Sequence, residues 1–254
     1  MKLNFKITFC FAFLFVLAPL HIDALPAEYA EAVKLYKNGQ YEESLSIIRS
    51  VFDDNKGSLE LRTLAAANYR KLNNFESALS HMMYAMREHP DTSEPALYYA
   101  ELQKESGAPA RAIDTLRRVA GKFPNDPWAR YELAAAFVNQ KNYVEARKQI
   151  ESIITKNPNF FQAIYLDGLI YLIQGSYETA DFRFNNALRI KINDNEWLKR
   201  LYNNLGFVNE KLADKNTNLQ LKKEKLDTAK DYYKKAIKID NNYLIAKSNL
   251  DRID

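Results

Sequence analysis

The chain has 254 residues, with 36 Lys and Arg against 32 Asp and Glu and only 3 His. A net charge of +4 does not supply the concentrated basic face that nucleic-acid binding needs, so no nucleic-acid partner is expected. A single cysteine excludes an internal disulfide framework, and seven glycines scattered singly exclude a glycine-rich phosphate loop.

The N-terminal segment, Met1 to Ala24, differs from the rest. Lys2 and Lys6 precede an uncharged run from Ile7 to Leu20, Pro19 interrupts its end, and Ile22-Asp23-Ala24 offers a cleavage site. This layout predicts a secretory signal peptide over residues 1–24, cleaved near Ala24. The competing reading is an uncleaved N-terminal anchor, disfavoured because a span needs about 20 apolar residues. Cys10 lies within the run and before any lipoprotein cleavage position, so cleavage leaves a chain without cysteine. The expected location is the bacterial periplasm.

Beyond this segment one fixed period of about 34 residues governs the chain, within the range of stacked-repeat architectures. Ser44, Ala78, Ala112, Ala146 and Ala180 form a column at that spacing, and Ala229 continues it after an interruption. Twelve residues before it stand Ala32, Ala66, Ala100, Ala134 and Gly168, with Gly206 displaced by an insertion. Four residues after it stand Ile48, Met82, Leu116, Ile150, Phe184 and Tyr233. Small and large positions thus alternate at helical spacing, which lets two helices approach closely. Gly39, Gly107 and Gly175 fall in the short turn between the two helices, where glycine tolerates positive φ. Pro90, Pro124 and Pro158 close three of the units. Each unit reads as helix A, tight turn, helix B and a link.

These columns, with the segment Leu35 to Leu45 and the segment Gly168 to Ala180, resemble the tetratricopeptide repeat. The resemblance covers roughly residues 25–242. It implies an all-α fold, a right-handed superhelical solenoid of antiparallel helix pairs. About six repeats are expected, near 25–58, 59–92, 93–126, 127–160, 161–198 and 199–242. The sixth carries extra residues around 212–225, rich in Lys, Asn and Leu with no Gly or Pro, so a longer helical hairpin is expected there. Residues 243–254 form a capping helix, with Tyr243, Ala246 and Leu250 on one face. No Gly/Ser/Pro-rich linker divides the array, which predicts one continuous body.

Catalytic constellations are missing from the sequence. His81 and His89 are eight residues apart with no metal-spaced partner, and pairs such as Glu42-Glu43 read as helix-surface charge. No enzyme activity, cofactor or metal is expected.

The resemblance implies instead that the helices A bind a protein partner along a concave groove. The residues it places there are Tyr29, Tyr36, Arg70, Lys71, Tyr98, Lys104, Trp128, Tyr131, Tyr165, Asn203 and Phe207. Aromatic anchors would bury area, and Arg70, Lys71 and Lys104 would set register. The family's clamp for acidic chaperone tails is missing, since its positions hold Tyr29, Val33, Leu64, Glu94 and Tyr98. A hydrophobic peptide or helix is therefore the expected ligand. The alternative is a self-assembling, oligomeric component, or an accessory factor of a membrane-associated envelope complex for outer-membrane assembly or type IV pilus biogenesis.

Overall fold

The computed structural model describes residues 27–52 and 58–254, and every regular element among them is a helix. The expected signal peptide and Cys10 lie outside the described residues. No described helix is long and apolar enough to cross a membrane.

The helices alternate as the period predicts. The helices A are α1 (Ala27–Lys37), α3 (Leu59–Lys71), α5 (Glu94–Glu105), α7 (Pro127–Asn139), α9 (Phe161–Ile173) and α11 (Asn195–Asp214). The helices B are α2 (Tyr41–Phe52), α4 (Phe75–Glu88), α6 (Pro109–Lys122), α8 (Tyr143–Lys156), α10 (Tyr177–Leu188) and α12 (Leu219–Ile239), and α13 (Leu244–Asp251) follows. Two compact units result, dividing after Asn139. The first holds α1 to α7 and the second α8 to α13, so the division falls inside the fourth repeat.

The turns between helices A and B show the period most sharply. Gly39, Gly107 and Gly175 have φ of 80°, 89° and 75°. The same column holds Asn73 and Lys141, which adopt φ of 57° and 60° despite carrying a Cβ. Only glycine makes this conformation without steric cost, so two of the five turns are strained. Asn74 and Asn142 follow them and cap α4 and α8, accepting from the backbone N–H of Ser77 (3.1 Å) and Glu145 (3.3 Å).

In the first unit the core begins with α1 to α4. Ser44 donates to the Ala32 carbonyl at 2.8 Å, and Asn68 donates to Ser44 Oγ at 3.0 Å. A buried polar chain therefore joins the first repeat to the second. Arg62 is also buried, with its guanidinium 3.3 Å from the centre of the Tyr84 ring and 4.8 Å from that of Phe52. Tyr69 and His81 pack with ring centres 5.5 Å apart. One repeat later the same two columns hold Gln103 and Thr115, and there the Thr115 hydroxyl donates to Gln103 Oε1 at 2.9 Å. The ring pair of the second repeat is thus replaced, in the third, by a buried hydrogen bond.

In the second unit two glycines of helices A admit rings from helices B. A Cβ built on Gly168 would lie 2.6 Å from the Phe184 ring, and one on Gly206 would lie 2.6 Å from the Tyr233 ring. The extra residues near 212–225 lengthen both helices of the sixth repeat, to 20 and 21 residues, around a turn at 215–218. Helical propensity without Gly or Pro accounts for this outcome. Helix α13 is held by Arg252, which donates to buried Glu210 at 2.6 Å, and Tyr233 donates to the same carboxylate at 3.0 Å.

Candidate functional site

Within the first unit, α1, α3 and α5 pack side by side, so residues one period apart form rows across neighbouring helices. One row is Tyr36, Arg70 and Lys104. Arg70 donates from Nη2 to Glu101 at 3.0 Å and from Nε to Glu105 at 2.7 Å. It is therefore committed to two carboxylates of α5, not held ready for a ligand, which corrects the expectation that it sets a partner's register. Lys104 sits among Glu101, Glu105 and Glu132, and burial lowers its pKa although these carboxylates oppose the shift. Burial holds the Glu101 carboxyl above its ordinary range, with Arg70 and Lys104 pulling the other way. Glu132 is raised well above that range by burial and by the Glu101 charge. Lys71, next to Arg70, is exposed.

The aromatic residues divide into two groups. Tyr29, Tyr98, Tyr131 and Tyr165 are only 5, 3, 5 and 7% exposed. The expectation that they present rings to a partner is corrected: each helix A is flanked by other helices, so rings at these positions fill the seams. In the second unit Tyr165 meets the rings of Phe184 and Trp197 at 5.5 and 5.4 Å, and Asn204 donates to its hydroxyl at 2.8 Å. Asn203 is likewise buried, and its Oδ1 accepts from Asn249 of α13 at 3.0 Å, a structural tie. Phe207 is half-buried, with Lys211 Nζ 5.3 Å from its ring centre. Solvent reaches Tyr36 in part and Trp128 to 37%, where the indole stands edge-on to Tyr131 with centres 5.6 Å apart.

A second row joins Trp128 of the expected groove set to two carboxylates. Glu60, Glu94 and Trp128 follow one another at the repeat period and occupy the first turns of α3, α5 and α7. Burial, then the nearby Glu60 charge, raises the Glu94 carboxyl above its ordinary range. Among the described residues neither carboxylate joins an ion pair; Glu60 accepts a hydrogen bond from the Ser58 hydroxyl at 3.0 Å. No group of His, Cys, Asp and Glu able to hold a metal ion occurs among the described residues.

The architecture is that of a helical-repeat binding protein, and comparison with known proteins gives the family. Two family models described as tetratricopeptide repeat match residues 63–127 and 104–166. The chain is a tetratricopeptide repeat protein. It is similar to a solved tetratricopeptide repeat protein from Parabacteroides merdae, with a TM-score of 0.63 over 91% of this chain and 86% of that one at 19% identity. It is 22% identical over 169 residues to ER membrane protein complex subunit 2 of Xenopus tropicalis, covering 65% of this chain and 56% of that protein. It is 27% identical over 118 residues to a beta-barrel assembly-enhancing protease of Yersinia pestis, covering 46% of this chain and 24% of that protein. The chain spans about half the length of the amphibian relative it matches. Both family matches are to an interaction repeat that is generally a non-enzymatic scaffold.

Proposed function

We propose that this protein is a non-enzymatic scaffold of the bacterial periplasm that binds a peptide or helix of a protein partner on its helices A. The carrying observation is the side-by-side packing of equivalent helices, which brings chemically similar positions back once per repeat across one surface. In the first unit Lys71 and Trp128 of the expected set are exposed, and Tyr36, Arg70 and Lys104 are half-buried. They support binding by a half-exposed aromatic with polar neighbours, since such rings bury area at little entropic cost. The basic start and the apolar run before Ala24 support export. Sequencing the N-terminus of protein purified from a periplasmic extract should begin just after Ala24, and an intact Met1 in that material would refute processing.

A photo-reactive residue at position 128 tests the binding reading, with position 144 as the control because Val144 is exposed on a helix B. One dominant envelope-protein adduct from position 128 alone is the expected result. Equal adducts from both positions, or none, would overturn it.

A second reading, accessory work in outer-membrane assembly, is favoured by one observation. The Yersinia pestis relative is a beta-barrel assembly-enhancing protease by name. An adduct with a component of that machinery would select it.

A further inference from the structure

We propose that Glu60, Glu94 and Trp128 form a seat for a cationic side chain, so the bound segment carries an Arg or Lys at that point. This deepens the scaffold reading and rests on it. The three residues share one column of the repeat, on successive helices A, within the first turn of each helix. Because α3 packs against α5, Glu60 and Glu94 occupy neighbouring first turns, and no ion pair among the described residues neutralises either. Trp128 continues the row with an indole that is 37% exposed. Two carboxylates and an indole suit a guanidinium or ammonium group, which pairs with the first and lies over the face of the second.

A separate observation comes from α1. Tyr29 is only 5% exposed, and its buried hydroxyl makes no hydrogen bond among the described residues. That hydroxyl senses the Glu60 charge, which helps to raise its pKa after burial itself. It is a donor that Glu60 can take up when the carboxylate turns to hold a cation, so the seat has a support behind it. An acidic partner would meet two like charges here, consistent with the missing clamp for acidic tails.

The test uses the full chain and a dye-labelled tetra-arginine peptide, read by fluorescence anisotropy, with tetra-glutamine and tetra-glutamate peptides as references. Binding of tetra-arginine alone is expected, weakened about tenfold or more in Glu60→Gln/Glu94→Gln. Glu42→Gln/Glu43→Gln removes the same charge from exposed positions of α2 and should leave affinity unchanged. Should the first double variant fold poorly, the wild-type titration in rising salt supplies the second measurement, because binding through this seat must weaken as salt screens it. Equal weakening in both double variants, absence of binding at millimolar peptide, or equal binding of tetra-glutamate would each overturn the proposal. An envelope-protein adduct from a photo-reactive residue at exposed position 71, formed equally with Glu60 and Glu94 intact or both changed to Gln, would leave the scaffold reading standing and remove this inference alone.

Discussion

Gly168 lies directly beneath the ring of Phe184, so close that a Cβ on the glycine would sit 2.6 Å from the ring edge. The repeat compensates volume across the two columns. Glycine faces an aromatic residue in the fifth and sixth repeats, whereas alanine is matched by Ile48, Met82, Leu116 or Ile150 in the others. Gly168→Ala should therefore destabilise the protein by about 1–3 kcal/mol through overpacking. Phe184→Leu made with it recreates the alanine–leucine combination of Ala100 and Leu116, and the pair should cost less than the two single changes added. Gly121, helical and with nothing within 4 Å of its added Cβ, is the control. Gly121→Ala should stabilise by about 0.5–1 kcal/mol. Denaturant unfolding of the four variants checks all of this.

Lys141 holds a left-handed turn conformation that its equivalents one repeat away, Gly107 and Gly175, adopt as glycine. Lys141→Gly should raise stability by about 0.5–1 kcal/mol, because relief of the Cβ clash outweighs the added freedom of the unfolded chain. Asn73→Gly should gain less, since asparagine tolerates this region better. Thermal midpoints decide, and a loss at Lys141 would contradict the strain.

The His81 imidazole is pushed down to about 4 by burial, with the Arg62 charge adding to it, and the rings of Phe52 and Tyr69 pack against it with centres 5.6 and 5.5 Å away. Below about pH 6.5 the unfolded chain takes up a proton that the folded chain refuses until about pH 4. Stability from this residue is therefore present above pH 6.5 and lost as the pH falls towards 4. His81→Phe should flatten that part of the profile relative to wild type, as read from urea midpoints at about pH 7.5 and about pH 4.5. Parallel losses in both proteins would refute the assignment.

Arg252 bonds to buried Glu210, which also accepts from Tyr233. Arg252→Ala should cost about 1–2 kcal/mol, less than a fully buried pair because the guanidinium is partly exposed. Amide exchange should quicken first in α13. Unchanged protection there would show that Ala246 packing and the Asn249–Asn203 bond seat the helix without Arg252.

The order of elements is legible because the same column returns once per repeat, and the turn glycines mark three helix junctions. Asn73 and Lys141 give no such mark, since a positive φ leaves no trace in a residue that merely tolerates it. The fate of the tyrosines is hidden for a different reason. A helical face can be read from spacing, but Tyr165 is covered by Phe184 of its helix B and by Trp197 of the next helix A, a pairing that spacing along one helix does not show. Buried Arg62 is equally hidden, because its acceptor rings, Phe52 and Tyr84, come from two different helices B. Glu60 and Glu94 fall at the repeat period in the sequence, but only the packing of α3 against α5 shows their first turns to be neighbours.

The polar chain from Ala32 through Ser44 to Asn68 crosses from one repeat to the next and stops there. The bond from Asn209 to Asp181 makes a similar short step in the second unit. Such ties grip only the adjoining repeat, so no remote residue acts as a keystone. Damage is then local: a weakened repeat loosens its immediate neighbours and leaves those further along able to hold their shape. Loop-closure entropy along the way stays small, and each repeat can form while the chain beyond it is still disordered. A chain that emerges from the ribosome one end first gains from that property, because its leading repeats can set before the trailing ones arrive.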